Sequence, residues 1–405
     1  MTSKCPQHGE VTSDHVWDDS DIYQGISQVK MLPGHSMQVS IDTTYKCNLN
    51  CTVCFARANE YDGANEFKKE DILLLSGARQ LFLTGGEPTM REDIADIIRF
   101  CVKNHKKPIL FSNGIKMANK KYLRELKKAG LRSVLLQFDS LDDADLSYIR
   151  GRDLVKTKIQ ALDNLKDLNI PVAIWSVIVK GRNLKKLAAL HKFLLSYPNV
   201  KTVSAIPIWR IGRYNAEDFV PPSVIIRKLR KIYHLENSDF ISTTQLVCNI
   251  DRLLSIFDKK RGILFGKCML KALLFKYKGK YIPISKVFNV SEINQRVDKL
   301  FEKEGKFFPL AGFIGYFLKN EIAVNFFKNK YFRSLVLKMI ANLRFLFYKR
   351  NLLLNPFVFI TVGIFPNKDN IDLKFIRACN SYSLCMEDYS LRPACLHHIA
   401  LEEKK

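Results

Sequence analysis

Cys47, Cys51 and Cys54 stand in the segment Tyr-Lys-Cys-Asn-Leu-Asn-Cys-Thr-Val-Cys-Phe, a C-x3-C-x2-C spacing with Phe55 directly after the third cysteine. Three thiolates on one short loop can hold three irons of a [4Fe-4S] cluster. Such clusters are normally held by four cysteines. A triad leaves the fourth iron open to a small molecule, which points to chemistry rather than electron storage. The competing reading is a structural zinc site. Zinc closes with four Cys or His ligands, and no fourth ligand lies close in sequence.

Thiols used this way need a rigid mount. Apolar runs predict strands over 38–45, 80–84, 109–112, 133–138, 172–179 and 201–206. Helical spacing falls between them, over 64–78, 90–104, 119–129, 154–168 and 184–195, with Gly130 as a C-terminal stop. Strand and helix alternating at this pitch argue for parallel strands with crossover helices. The expected fold is α/β, a partial (β/α)6 TIM-like barrel. In such barrels chemistry sits at the C-terminal ends of the strands. The cysteine loop follows the first strand, Gly85-Gly86-Glu87-Pro88 the second and Ser112-Asn113-Gly114 the third. Gln137 and Asp139 follow the fourth, and Lys180-Gly181-Arg182-Asn183 the fifth. Glycines let a backbone approach a ligand closely. Gly-Gly alone is an ordinary turn, but Glu87 lies 33 residues after Cys54, one strand-helix step along.

The cysteine loop with its trailing Phe55 and the Gly-Gly-Glu-Pro element together resemble the radical S-adenosylmethionine (SAM) superfamily. The resemblance implies that SAM chelates the open iron through its amino and carboxylate groups. It implies a 5′-deoxyadenosyl radical and a one-electron reductant such as ferredoxin or flavodoxin. Gly85, Gly86 and Glu87 are expected near the methionyl ammonium, Ser112 and Asn113 near the ribose. Phe55, Gln137, Asp139 and Lys180 complete the expected contacts with SAM or substrate. Several phrases resemble a narrower group, which contains tetraether lipid synthase and methyltransferases acting on a pterin precursor. They are Cys5-Pro6-Gln7-His8-Gly9, Leu136-Gln137-Phe138-Asp139-Ser140-Leu141, Arg150-Gly151-Arg152-Asp153-Leu154, the run 158–165, Val179 to Asn183, and Gly212-Arg213. That group pairs its Cys-Pro-x-His-Gly with an earlier C-x2-C to make a rubredoxin-like iron site. Only Cys5 is present here, so no such iron is expected.

Pro221-Pro222 breaks the chain, and the composition shifts after it. Expected boundaries are 1–36 for an N-terminal segment, 37–215 for the core and 216–405 for a C-terminal α+β region. In the narrower group, positions like Cys268, Cys379, Cys385 and Cys395 bind an auxiliary [4Fe-4S] cluster, and Cys248 is a further candidate. Cys101, inside a helical pattern, reads as a core thiol. His397 and His398 read as a solvated tail, with substitute ligands for that auxiliary cluster as the alternative.

The net charge is +24, and 21 Lys and Arg against 5 acids fall between Lys259 and Arg350. Such a balance implies anionic partners. Residues 307–365 mix basic with aromatic and apolar residues, which suits an anionic lipid or membrane surface as well as a solvated helical subdomain. No apolar run reaches the length of a spanning helix, and the 14 uncharged residues over 352–365 suit a buried strand. No base-reading motif favours nucleic acid. Ten cysteines in 405 residues are not a secreted disulfide framework, and the opening residues are polar, so a cytosolic setting with reduced thiols is expected. The expected reaction is hydrogen abstraction from an unactivated carbon of a lipid or isoprenoid-like chain, for C–C bond formation or methylation. The alternatives are modification of a peptide or small heterocycle, and an iron-sulfur electron carrier or sensor without SAM turnover.

Overall fold

A computed structural model describes residues 2–5, 9–12, 29, 37–60, 67–257, 268–302, 328–334, 357–364, 381–386, 388–393 and 397. The hairpin β1 (Thr2–Cys5) and β2 (Gly9–Thr12) stands by itself. Six parallel strands then form the core: β3 (Met37–Thr44), β4 (Ala78–Gly85), β5 (Lys107–Ser112), β6 (Val134–Gln137), β7 (Val172–Ile178) and β8 (Val200–Pro207). Between them run α1 (Ile94–Lys103), α2 (Lys120–Ala129), α3 (Asp143–Arg150), α4 (Val155–Asp167) and α5 (Leu187–Leu194). This is the partial (β/α)6 barrel expected of the sequence.

Strand residues alternate between two faces. Val39, Ile41, Leu81, Leu83, Leu110, Leu136, Ile174 and Val203 face the helices in one continuous core. The opposite, concave face carries a second cluster: Phe82, Ile109 and Leu135, packed with Phe111, Ala173 and Trp175. Cys101 is fully buried in the outer core, as its helical pattern predicts.

The helix expected over 64–78 is shorter. A 3-10 helix spans Lys69–Leu74, and Ala78 already opens β4. Ile72 and Leu75, three apart, are buried while Leu73 and Leu74 point outward, which is the period of a 3-10 turn rather than an α-helix. The helix α3 was not anticipated. Asp142 caps it by accepting from the Ala144 N–H (2.9 Å), and Gly151 ends it at φ +75°.

In the second half, α6 (Pro222–Tyr233) and α7 (Asn237–Phe257) lead to the antiparallel hairpin β9 (Met269–Tyr277) and β10 (Lys280–Pro283), then α8 (Val290–Glu302). β11 (Phe357–Gly363) is the buried strand expected within 352–365. It pairs parallel to β8 and antiparallel to β9. β12 (Ser381–Leu384) pairs parallel to β3 at the other edge and is followed by β13 (Leu391–Pro393). One sheet therefore runs across the boundary expected near 215, in the order β10-β9-β11-β8-β7-β6-β5-β4-β3-β12-β13. No helix of the described residues is long and apolar enough to cross a membrane.

Candidate active site

The cysteine loop leaves the C-terminal end of β3 and is held on four sides. On the first, Gly86 N–H donates to Thr44 O (2.7 Å) and Glu87 N–H to Lys46 O (2.9 Å). A Cβ at Gly86 would meet Lys46 O at 2.4 Å, so the close approach that this glycine permits is to the cysteine loop's own backbone. On the second, Thr52 N–H donates to Ile149 O (3.2 Å) and Thr52 Oγ1 to Tyr148 O (3.0 Å), both at the end of α3. Third, Cys54 and Arg213 exchange two backbone bonds of 2.9 Å, Gly212 (φ +77°) lies against Cys54 O, and Phe55 stacks on Trp209 at 6.0 Å. Finally, Asn59 closes the loop on itself, accepting from Cys47 N–H (2.8 Å) and donating to Cys47 O (3.1 Å).

The three thiols are half-buried. Burial pushes the Cys47 thiol up to about 12, helped by the Glu87 carboxylate and the other two thiols. A bound cationic centre reverses that logic, because a coordinating thiol is deprotonated outright. Among the described residues no three His, Cys, Asp or Glu converge on a single metal ion. A cubane asks for something else, one thiolate on each of three irons. A short loop of three accessible soft donors fits that demand.

Glu87 is buried, and its carboxylate is taken up inside the protein. Oε1 accepts from Thr89 N–H (3.1 Å), Thr89 Oγ1 (2.6 Å) and Ser112 Oγ (2.8 Å), and Oε2 from Asn113 N–H (2.7 Å). Its side chain ties the end of β4 to the end of β5. Asn113 in turn donates to Asn48 Oδ1 at 2.7 Å, reaching the cysteine loop. Asp139 is fully buried and grips Arg150 through two bonds, Nε–Oδ2 at 2.8 Å and Nη2–Oδ1 at 2.9 Å. Val177 N–H (2.8 Å) and the Gln137 amide also donate to it. Lys180 is exposed, and its N–H donates to Asp218 O (2.8 Å).

Two residues at this end escaped the sequence reading as individuals. Arg150 donates to Val53 O (3.4 Å) while bound to Asp139, so it ties the cysteine loop to β6 and keeps its positive charge near Cys51. Lys158 is fully buried. Its Nζ donates to Asn113 O (3.0 Å), Gln137 O (2.7 Å) and Gln137 Oε1 (2.9 Å), and burial lowers it to about 8. Both lie in segments that carry the family resemblance, yet a lone Arg or Lys carries no signal of burial.

Of the downstream cysteines, Cys248 on α7 and Cys268 before β9 both act on the buried Lys271 ammonium, and Cys385 is buried just after β12. Cys379, Cys395 and His398 lie outside the described residues, as does the side chain of Cys5. His397 is not a solvated tail residue. It is 2% exposed, with Nε2 at 3.8 Å from Asp42 Oδ2, because β12 and β13 bring this segment back against β3.

Residues 41–194 match the radical SAM superfamily model. Over 75% of its length the chain is 26% identical to the 7,8-dihydro-6-hydroxymethylpterin dimethyltransferase of Methanocaldococcus jannaschii, of which it covers 68%. It is 33% identical over 38% of its length to the probable GTP 3′,8-cyclase of Pyrococcus abyssi, spanning 51% of that protein. Among solved structures, Streptococcus suis SuiB bound to S-adenosylmethionine aligns at a TM-score of 0.43 and 16% identity, covering 56% of this chain and 52% of that one. Residues 41–194 are a radical SAM domain, and the cofactors of that superfamily are a [4Fe-4S] cluster and SAM. The chain is an enzyme of that class.

Proposed function

We propose that this radical SAM enzyme takes a hydrogen atom from an unactivated carbon of a small planar heterocycle lying on the concave face of the sheet. When bound, the reduced cluster and SAM supply one electron and a carbon–sulfur bond to break, giving methionine and a 5′-deoxyadenosyl radical. The chain's own task is to hold the cluster, exclude water and fix the substrate carbon. Cys47, Cys51 and Cys54 are its ligands. Arg150, Glu87 and Lys158 hold the loop and the strand ends in register.

The observation that carries the substrate class is the concave wall. Phe111 and Trp175, with ring centroids 5.5 Å apart, give an aromatic floor. By strand register Asp42 and Thr84 stand level with Phe111, and Ser204, which accepts from Thr361 (2.7 Å), stands level with Trp175. An aromatic pair flanked by polar groups at its own level suits a flat ring with hydrogen-bonding edges. The relative matched over most of the chain is named for a pterin. The lipid or isoprenoid-like chain is the second reading, supported by the same apolar floor. The basic aromatic stretch that favoured it lies mostly outside the described residues. Cys268, Cys379, Cys385 and Cys395, with Cys248, remain the proposed holders of an auxiliary [4Fe-4S] cluster. The proposed electron donor is a ferredoxin or flavodoxin.

The test is an anaerobic incubation with SAM, reductant and deuterated candidates. Deuterium entering 5′-deoxyadenosine from a labelled pterin, and not from labelled membrane lipid, is expected. Transfer from lipid alone overturns the heterocycle reading in favour of the second.

A further inference from the structure

Of the described segments at the two ends of the barrel, those at the end away from the cysteine loop carry the excess of positive charge. All six core strands are parallel, so the segments entering them share one end, together with the last turns of the helices. The β9–β10 turn lies there too, since Tyr281 OH donates to Leu195 O (3.0 Å) just after α5. Segments 75–79, 102–107, 127–133, 166–171, 192–201 and 276–280 hold thirteen Lys and Arg and one acid, Asp167. Asp167 is already paired with Lys120 at 2.6 Å. The mouth end differs. Its segments 45–60, 85–93, 113–119, 138–155, 179–186 and 208–218 hold twelve Lys and Arg and eleven acids.

The basic end also carries exposed apolar groups. Leu73 and Leu74 are each 58% exposed, and Val102 at the end of α1 is 38% exposed. Lys106 Nζ donates to Ser76 O (3.3 Å) and Ala78 O (2.6 Å), tying the segment after the leucines to the end of α1. Lys103, Lys107, Lys128, Arg132, Lys278 and Lys280 are all exposed around them. Tyrosines lie under the cations: Lys166 sits over Tyr197 at 5.2 Å, and Lys278 over Tyr277 at 5.7 Å.

We propose that this end of the barrel docks on an anionic lipid bilayer. Cations draw it to the charged surface, exposed leucines enter the headgroup layer, and tyrosines sit at the boundary between water and acyl chains. A nucleic acid would use the cations but has no place for two outward leucines. Docked this way, the barrel mouth faces the aqueous side. That orientation suits a water-borne substrate and reductant, though the surface stands whatever the substrate is.

The experiment is co-sedimentation of the anaerobically purified full chain with vesicles. Phosphatidylcholine alone is compared with phosphatidylcholine containing phosphatidylglycerol. Binding to the anionic vesicles only, weakened by salt, is expected. The variant Lys103→Gln/Lys107→Gln/Lys128→Gln/Arg132→Gln should lower the partition coefficient by about tenfold or more, because each cation near the surface contributes separately. Leu73→Ser/Leu74→Ser should weaken vesicle binding as well. Both variants are checked for native circular dichroism and for unchanged 5′-deoxyadenosine formation. Equal binding to neutral vesicles, or an unchanged partition coefficient in either folded variant, overturns the proposal. So does binding to duplex DNA or single-stranded RNA that exceeds vesicle binding and ignores the leucine substitutions.

Discussion

Removing the Arg150 guanidinium tests the wiring of the cysteine loop directly. Arg150 and Asp139 are 7% and 0% exposed at the side chain and share two bonds of 2.8 and 2.9 Å. Arg150→Ala leaves the Asp139 carboxylate buried without its counter-charge, a change that typically costs about 3–5 kcal/mol. Asp139 keeps the Val177 N–H and the Gln137 amide as donors, so the lower end, about 3 kcal/mol, is expected. Urea unfolding under anaerobic conditions reads the loss. The double variant Arg150→Met/Asp139→Asn removes both charges and should recover at least about half of it. A second readout separates positioning from bulk stability. The Arg150 charge acts on Cys51, and charge near cluster sulfurs sets reduction potentials. Loss of that cation should make the cluster harder to reduce, a lower midpoint potential in a spectroelectrochemical titration. A single variant within about 1 kcal/mol of wild type, a double variant no better than the single, or an unmoved potential each refutes the reasoning.

Four further outcomes are expected. Replacing any one of Cys47, Cys51 or Cys54 by Ala abolishes 5′-deoxyadenosine formation, and retained formation removes that residue from the ligand set. Gly86→Ala puts a Cβ 2.4 Å from Lys46 O, so iron loading should fall by at least half while circular dichroism stays native; full loading contradicts the packing. Glu87→Gln turns a donor toward the ring of donors from Thr89, Ser112 and Asn113, and should cost about 1–3 kcal/mol in urea unfolding. His191, buried against Tyr233 at 2.8 Å, is lowered from 6.5 to about 3 by desolvation. The unfolded histidine binds a proton below 6.5 while the folded one does not, so its contribution is lost as pH falls from 6.5 toward 3, at about 1.4 kcal/mol per unit. His191→Gln should flatten the melting temperature against pH between 6.5 and 4.5; identical profiles count against it.

The barrel core was legible because its signal is local. Apolar runs of strand length alternate with helical spacing, and each predicted strand from 38–45 to 201–206 lies within two residues of an observed one. The cysteine loop was legible from spacing alone. The positioning residues were not. Arg150 and Lys158 are charged side chains that any sequence rule sends to the surface, and only tertiary partners explain their burial. Glu87 was expected near the SAM ammonium, and the structure shows its carboxylate engaged by Thr89, Ser112 and Asn113. His397 was misread because nothing in a polar C-terminal run announces a strand pairing with β3. The helix α3 was passed over although Asp142 and Gly151 bracket it with ordinary cap residues.

Both raw edges of the six-stranded core are sealed by strands from far along the chain, 357–363 and 381–384. Thr361 meets Ser204 across 157 residues, and Ser381 pairs with Gln38 across most of the polypeptide. Until those late strands arrive, β3 and β8 present unpaired amide rows, a template for other nascent copies. Assembly is thus tied to synthesis of the strands 357–363 and 381–384. A nonsense mutation ahead of them would yield a sticky product rather than a smaller working enzyme.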